Sequence, residues 1–182
     1  MVTIPSLWLP ILLSAVVVWV LSAIVWMFLP HRKKEFKGLP NEEPVRAALK
    51  GVGPGHYWVP WGTPEQMKDP ELIRKYQEGP AGIIQLWKPG MPSMGKSMVL
   101  SLLYYLAVGI VVAYIASRTL DPGADYSAVF RIVGCTAWLA YGFGGVPDSI
   151  WFGRPWSFTW KTLAEAFVYG LFTGGVFGWL WP

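Results

Sequence analysis

Charge is what this sequence has least of. Asp, Glu, Lys and Arg make up 14% of the chain, where a soluble domain carries about a quarter. The shortage is local. Residues 5–29, 98–117, 127–146 and 162–181 hold only two formal charges, Arg131 and Glu165. Histidine is absent from all four stretches; His31 and His56 lie between the first and the second. That removes the usual imidazole ligands for a haem or a pigment inside the apolar runs. Two unlinked histidines make a poor zinc set. The single cysteine, Cys135, excludes an intramolecular disulfide and any cysteine-based metal motif. No G-x-S-x-G holds a serine nucleophile. No catalytic constellation, cofactor-binding set or metal site is therefore expected.

What is present is apolar length. Each of the four runs reaches about 20 residues, enough for a helix to cross roughly 30 Å of hydrocarbon. An unpaired backbone is not tolerated in lipid, so the runs must be helical, and the alternation of a barrel strand is missing. The expected fold is an all-α polytopic membrane protein with four transmembrane helices. A small α-rich cytoplasmic domain, with room for a short β-ribbon, lies between helices one and two. The expected parts are residues 1–30 as the first helix, 31–96 as the cytoplasmic domain and 97–182 as a three-helix region. Spans in that region are placed at about 97–117, 127–146 and 161–181. The first run lacks a basic start, is long for a signal peptide and is followed by its basic cluster, so it reads as an anchor.

The cations set an orientation. Eleven of the 15 Lys and Arg lie between residues 30 and 97, and Arg154 and Lys161 lie in 147–161. The positive-inside rule then puts residues 31–96 and 147–161 in the cytoplasm and both termini outside. A bacterial inner membrane is the expected location. The net charge of +4 is met by this topology and by anionic lipid, so no nucleic-acid partner is expected. Trp8, Trp179 and Trp181 fall at one boundary, and Trp26, Trp151, Trp156 and Trp160 at the other. Amphipathic rings prefer that depth.

The segment 31–96 carries helix punctuation. Asn41 precedes Glu42 and Glu43; Thr63-Pro64-Glu65-Gln66 offers a cap and a capping-box glutamine; Asp69-Pro70-Glu71 opens another helix that Gly79-Pro80 ends. Tyr57–Val59 and Ile83–Trp87 are strand-like and could pair as a ribbon. So small a segment is expected to pack on the membrane face, a partner, or both.

Gly90–Ser97 fits G-x-x-x-x-G-K-[ST], the loop whose amides and lysine cradle phosphates. The helix after it is a membrane span, Pro92 removes an amide, and there is no room for a parallel sheet. Nucleotide binding there is therefore not expected; a turn, a serine cap and an anchoring Lys96 account for it.

Three sets of small residues recur at spacing four: Gly109, Ala113 and Ser117; Thr136, Ala140 and Gly144; Gly170, Gly174 and Gly178. Such faces let helix backbones approach closely in lipid, within the chain or on a partner. The polar candidates are few. Arg131, about one turn inside its span, is expected to reach lipid phosphate, Asp121 or Asp125. Glu165 is expected to pair with Lys161 on one helix face. Asp148 is expected to pair with Arg154 or to cap residues 149–160.

Two function classes fit. The first is a non-catalytic accessory or assembly subunit of a larger membrane protein complex, with lipids and other membrane subunits as partners bound through the small-residue faces. The alternative is a small homo-oligomeric transporter, channel or lipid-handling protein that uses Arg131. The orientation has a direct check: a cysteine introduced as Glu71→Cys should react with an impermeant maleimide in opened cells only. Labelling in intact cells would reverse the topology.

Overall fold

A computed structural model describes residues 2–32 and 35–182. Lys33 and Lys34, part of the basic cluster, lie outside the described residues. Among the described residues seven α-helices and two strands follow one another: α1 (Trp8–Met27), α2 (Glu42–Ala48), β1 (Gly55–Val59), α3 (Pro70–Glu78), β2 (Gly82–Leu86), α4 (Met94–Thr119), α5 (Tyr126–Gly142), α6 (Val146–Trp151) and α7 (Trp156–Trp179). Contacts divide the chain into two units. One holds residues 1–36, 93–150 and 154–182; the other holds 37–92 and 151–153.

Among the described residues, three helical stretches are long and apolar enough to cross a membrane: Ile4–Met27, Met94–Thr119 and Tyr126–Trp151. The expected fourth span forms a helix of 24 residues, α7, but α7 is not among these three. Lys161 and Glu165 in its first half, and the polar rings and four glycines along it, lower its hydropathy. The third stretch is also not one smooth helix. A 3-10 turn, Phe143–Gly145, separates α5 from α6.

α5 and α7 form the most intimate helix pair. A Cβ on Gly170 would stand 2.7 Å from the Gly134 carbonyl oxygen, and one on Gly174 would stand 2.8 Å from that of Phe130. A Cβ on Gly178 would meet the Tyr126 ring at 2.7 Å. The fourth-helix glycines thus face inward, as a close-packed stripe should. Their counterpart on α5 is the row Tyr126, Phe130, Gly134 and Trp138, also spaced by four. The Trp138 indole N–H donates to the Leu163 carbonyl at 3.0 Å.

The expected face of Thr136, Ala140 and Gly144 does not serve this contact. Ala140 is exposed, and a Cβ on Gly144 would meet nothing within 4 Å. The α5 face in this contact centres instead on Gly134, which can be overlain by a backbone while the bulkier Phe130 and Trp138 close the contact above and below it. The second-helix set does face inward. Gly109 lies against Ile11, and Ala113 and Ser117 are buried. α1 is held to α4 by the Trp19 indole N–H donating to the Met98 carbonyl at 2.9 Å. Leu7, Val112, Val129, Val133 and Phe177 fill the core between the helices.

The second unit carries the remaining elements. Asp69 Oδ1 accepts the Glu71 N–H at 2.9 Å and so caps α3, which stops at Gly79 with φ +66°. The Thr63 N–H donates to Gln66 Oε1 at 3.0 Å at the start of a short 3-10 turn. Arg74 bonds Glu71 and Glu78 on one face of α3 and holds the Glu71 carboxyl below the usual carboxylate value. β1 and β2 pair antiparallel, with Tyr57 opposite Ile84, the ribbon that the strand-like runs suggest. After β2 the chain turns at Gly90, with φ +127°. The Ser93 hydroxyl then caps α4 by accepting the Lys96 N–H at 3.3 Å.

Gly174→Ala should destabilise the protein by about 1–3 kcal/mol, the usual cost of overpacking, because the new carbon meets backbone. Gly144→Ala should leave thermal unfolding in detergent unchanged. Equal melting temperatures for the two variants would refute the inward assignment.

Candidate functional site

The densest chemistry in the chain lies where the segment after α1 meets the start of α7. The Phe28 N–H is the last to bond back into α1, and residues 30–32 make one 3-10 turn. That turn delivers His31 and Arg32 to the first turns of α7. The Arg32 side chain is only 2% exposed, and Glu165 is 10% exposed. They meet side-on. Arg32 Nε donates to Glu165 Oε1 at 2.8 Å, and Nη2 donates to Oε2 at 2.6 Å. This two-bond geometry is the strongest that a guanidinium and a carboxylate can form. Arg32 Nη2 also donates to the Thr162 hydroxyl at 3.0 Å, and His31 Nε2 lies 2.7 Å from Glu165 Oε1.

Aromatic faces complete the cation's surroundings. The guanidinium carbon stands 4.6 Å from the centre of the Trp26 ring and 4.5 Å from that of Phe158. Arg154 stands over the same Phe158 at 4.9 Å. A desolvated cation gains about 2 kcal/mol or more from such a face, which offsets part of the cost of removing Arg32 from water.

The expected pairing of Glu165 with Lys161 does not occur. Lys161 turns to Glu35 and also donates to the His31 carbonyl at 2.9 Å. The reason is geometric. Arg32 presents a fork matched to both carboxylate oxygens, whereas Lys161 is a point charge that Glu35 can satisfy nearer the edge. Asp148 does pair with Arg154, at 3.0 Å, and the Asp148 carbonyl also accepts the Arg154 N–H. Arg32, Lys161 and Arg154 are thus matched by Glu165, Glu35 and Asp148. Sequence reasoning missed Arg32 and Glu35 altogether. The signal was there: the expected topology would put the end of the first apolar run and the start of the fourth on one side of a membrane, at one depth.

Deeper along the helices the site becomes a tyrosine cluster. Tyr169, one turn beyond Glu165, sets its ring edge-on to Tyr141 at 6.1 Å, and Tyr141 meets Tyr105 at 5.8 Å. Among the described residues the buried Tyr169 hydroxyl and Arg32 Nη1 have no hydrogen-bond partner. Beyond Thr173 the interior is closed by Phe177, Val129 and Val112, all fully buried. The polar region is therefore blind at its inner end.

Arg131 is elsewhere. It is exposed on α5, and its Nε donates to the Ser127 carbonyl, one turn back, at 3.0 Å. Neither Asp125 nor Asp121 pairs with it among the described residues, which leaves lipid phosphate of the three expected anions. Six residues along a helix rotate by 600°, so Asp125 points about 120° away from Arg131. Cys135 is exposed one turn further on. No three His, Cys, Asp or Glu side chains converge as a metal site among the described residues.

Chemically, the main cluster is built to hold. Both Glu165 oxygens are engaged by donors, and the facing cation is fixed by aromatic rings. That arrangement fastens α1 to α7. Comparison with protein-family models, with curated proteins and with solved structures gives no match to this chain.

Glu165→Gln should destabilise the protein by about 3–5 kcal/mol, because it leaves a buried guanidinium without a counter-charge. The double replacement Arg32→Met with Glu165→Met should recover most of the loss. Thermal unfolding of the three proteins in one detergent checks this, and a double variant no better than Glu165→Gln would show that the pair is not the fastener.

Proposed function

We propose that this chain is a non-catalytic accessory or assembly subunit of a larger membrane protein complex. In this reading α7 joins the three apolar stretches as a fourth span in a bacterial inner membrane. Residues 31–96 are cytoplasmic and both termini lie outside. The observation that carries the reading is the surface of the second unit. Trp61 is 71% exposed, Trp87 70% and Met91 96%. Trp58, Trp61, Pro64, Met67 and Tyr76 line a hollow of about 260 Å³. Large exposed apolar side chains, with Trp61 among those around a concavity, mark a surface that another molecule covers.

The small-residue faces are a weaker candidate for the partner surface. Two of the three sets face inside the chain, so the aromatic hollow takes over the role. The pairing of the buried charges with one another supports a non-catalytic part, since both Glu165 oxygens are already engaged. The transporter alternative has less support. Arg131 lies on the outer side of α5, so a permeation path would have to form between copies.

The decisive experiment is purification from native membranes in mild detergent, followed by mass spectrometry of the intact assembly. The expected outcome is a fixed-stoichiometry complex with other membrane subunits, which Trp61→Ser dissociates while leaving the melting temperature within about 1 kcal/mol equivalent. A homo-oligomer or a bare monomer would refute the proposal.

A further inference from the structure

Outside the fastening cluster, the seam between α5 and α7 carries a second feature. On its outward side the glycines that draw the helices together leave a trough. Near its middle a hollow of about 220 Å³ is bordered by Phe130, Gly134, Trp138, Phe167 and Leu171, with Arg131 and Cys135 on the rim. A second hollow of about 400 Å³ shares Phe130 and Leu171 and continues past Gly175 to Trp179. From Phe167 to Trp179 the trough follows twelve residues of α7, about 18 Å at 1.5 Å per residue.

The trough is mostly apolar, and α5 belongs to a stretch able to cross a membrane. Its one charge is Arg131. Among the described residues that guanidinium makes no ion pair, and its sole hydrogen bond is to the Ser127 carbonyl. Arg131 lies five residues into α5, about 8 Å from the helix start, a depth from which an arginine reaches headgroup level. A cation in hydrocarbon requires an anion. The complement of this surface is a molecule with a long apolar tail and a negative head.

We propose that the α5–α7 trough is a binding site for one anionic phospholipid, with its acyl chain along Phe130, Leu171 and Gly175 and its phosphate on Arg131. The proposal rests on α5 crossing the bilayer and is independent of the accessory role. The planar guanidinium has donors left for two phosphate oxygens. Gly175 is open here: a Cβ on it would meet only the Tyr126 hydroxyl, at 3.6 Å. It therefore widens the trough without being needed for helix contact.

The test uses the full chain in nanodiscs of equal phosphatidylglycerol and phosphatidylcholine, released into native mass spectrometry. Wild type should retain one phosphatidylglycerol in preference to phosphatidylcholine by about tenfold or more, the size of one charge-assisted bond. Arg131→Gln should abolish the preference and Arg131→Lys should keep part of it. Gly175→Leu, which fills the trough, should lose both lipids. Excess inorganic phosphate should not displace the bound lipid. Equal retention of the two lipids by wild type would overturn the proposal, as would an unchanged preference in Arg131→Gln. So would a photocrosslinker on Cys135 that captures a polypeptide in native membranes in place of phospholipid.

Discussion

The bare backbone contact between α5 and α7 is the constraint on which the rest of the first unit depends. Lipid tails are as apolar as leucine, so burying apolar side chains gives helices in a bilayer little reason to associate. What remains is close approach, and Gly134, Gly170 and Gly174 provide it by having no side chains to hold the backbones apart. With these helices in contact, Tyr126, Phe130 and Trp138 fall into register along the seam. The Trp138 indole then finds the Leu163 carbonyl. The outward trough is the geometric residue of the same approach. Where side chains are missing from a seam, space remains beside it.

The charged cluster is subordinate to that pair and depends on it. Removing Arg32 and Glu165 from water costs several kcal/mol for each ion. Such a pair survives because its two hydrogen bonds are short and both rings of the aromatic wall face the cation. It is specific more than it is strongly stabilising. A lysine in place of Arg32 could not make both contacts at once. The cluster therefore fixes which end of α7 lies beside α1, and the close backbone contact of α5 with α7 supplies the adhesion.

The apolar runs and the punctuation of the second unit were legible from sequence because both are local. Asp69 caps α3 and Tyr57 pairs with Ile84 as short-range patterns imply. The fourth helix was legible as a helix, but its hydropathy is too diluted by glycine, polar rings and two charges to mark a span by itself. The errors all concern which face of a helix meets what. Thr136, Ala140 and Gly144 looked like a contact face because small residues at spacing four suffice in many helices. Here the working face alternates one glycine with large rings, and only its partner helix reveals that. Glu165 was matched to Lys161 because a neighbour at i−4 is visible in sequence, whereas Arg32 lies 133 residues away. Of the three anions expected for Arg131, lipid phosphate, Asp121 and Asp125, neither aspartate pairs with it among the described residues, and helical rotation turns Asp125 away.

The Arg32–Glu165 pair also has a consequence in time. Synthesis makes the cation early and its carboxylate late, with nearly the whole second unit and two long helices in between. Until α7 arrives, Arg32 lacks both Glu165 and the Phe158 face, and of its aromatic wall only Trp26 is present. The buried arrangement can therefore close only once α7 is in place: a molecule that stops before α7 carries an unmatched Arg32, and one that includes α7 does not.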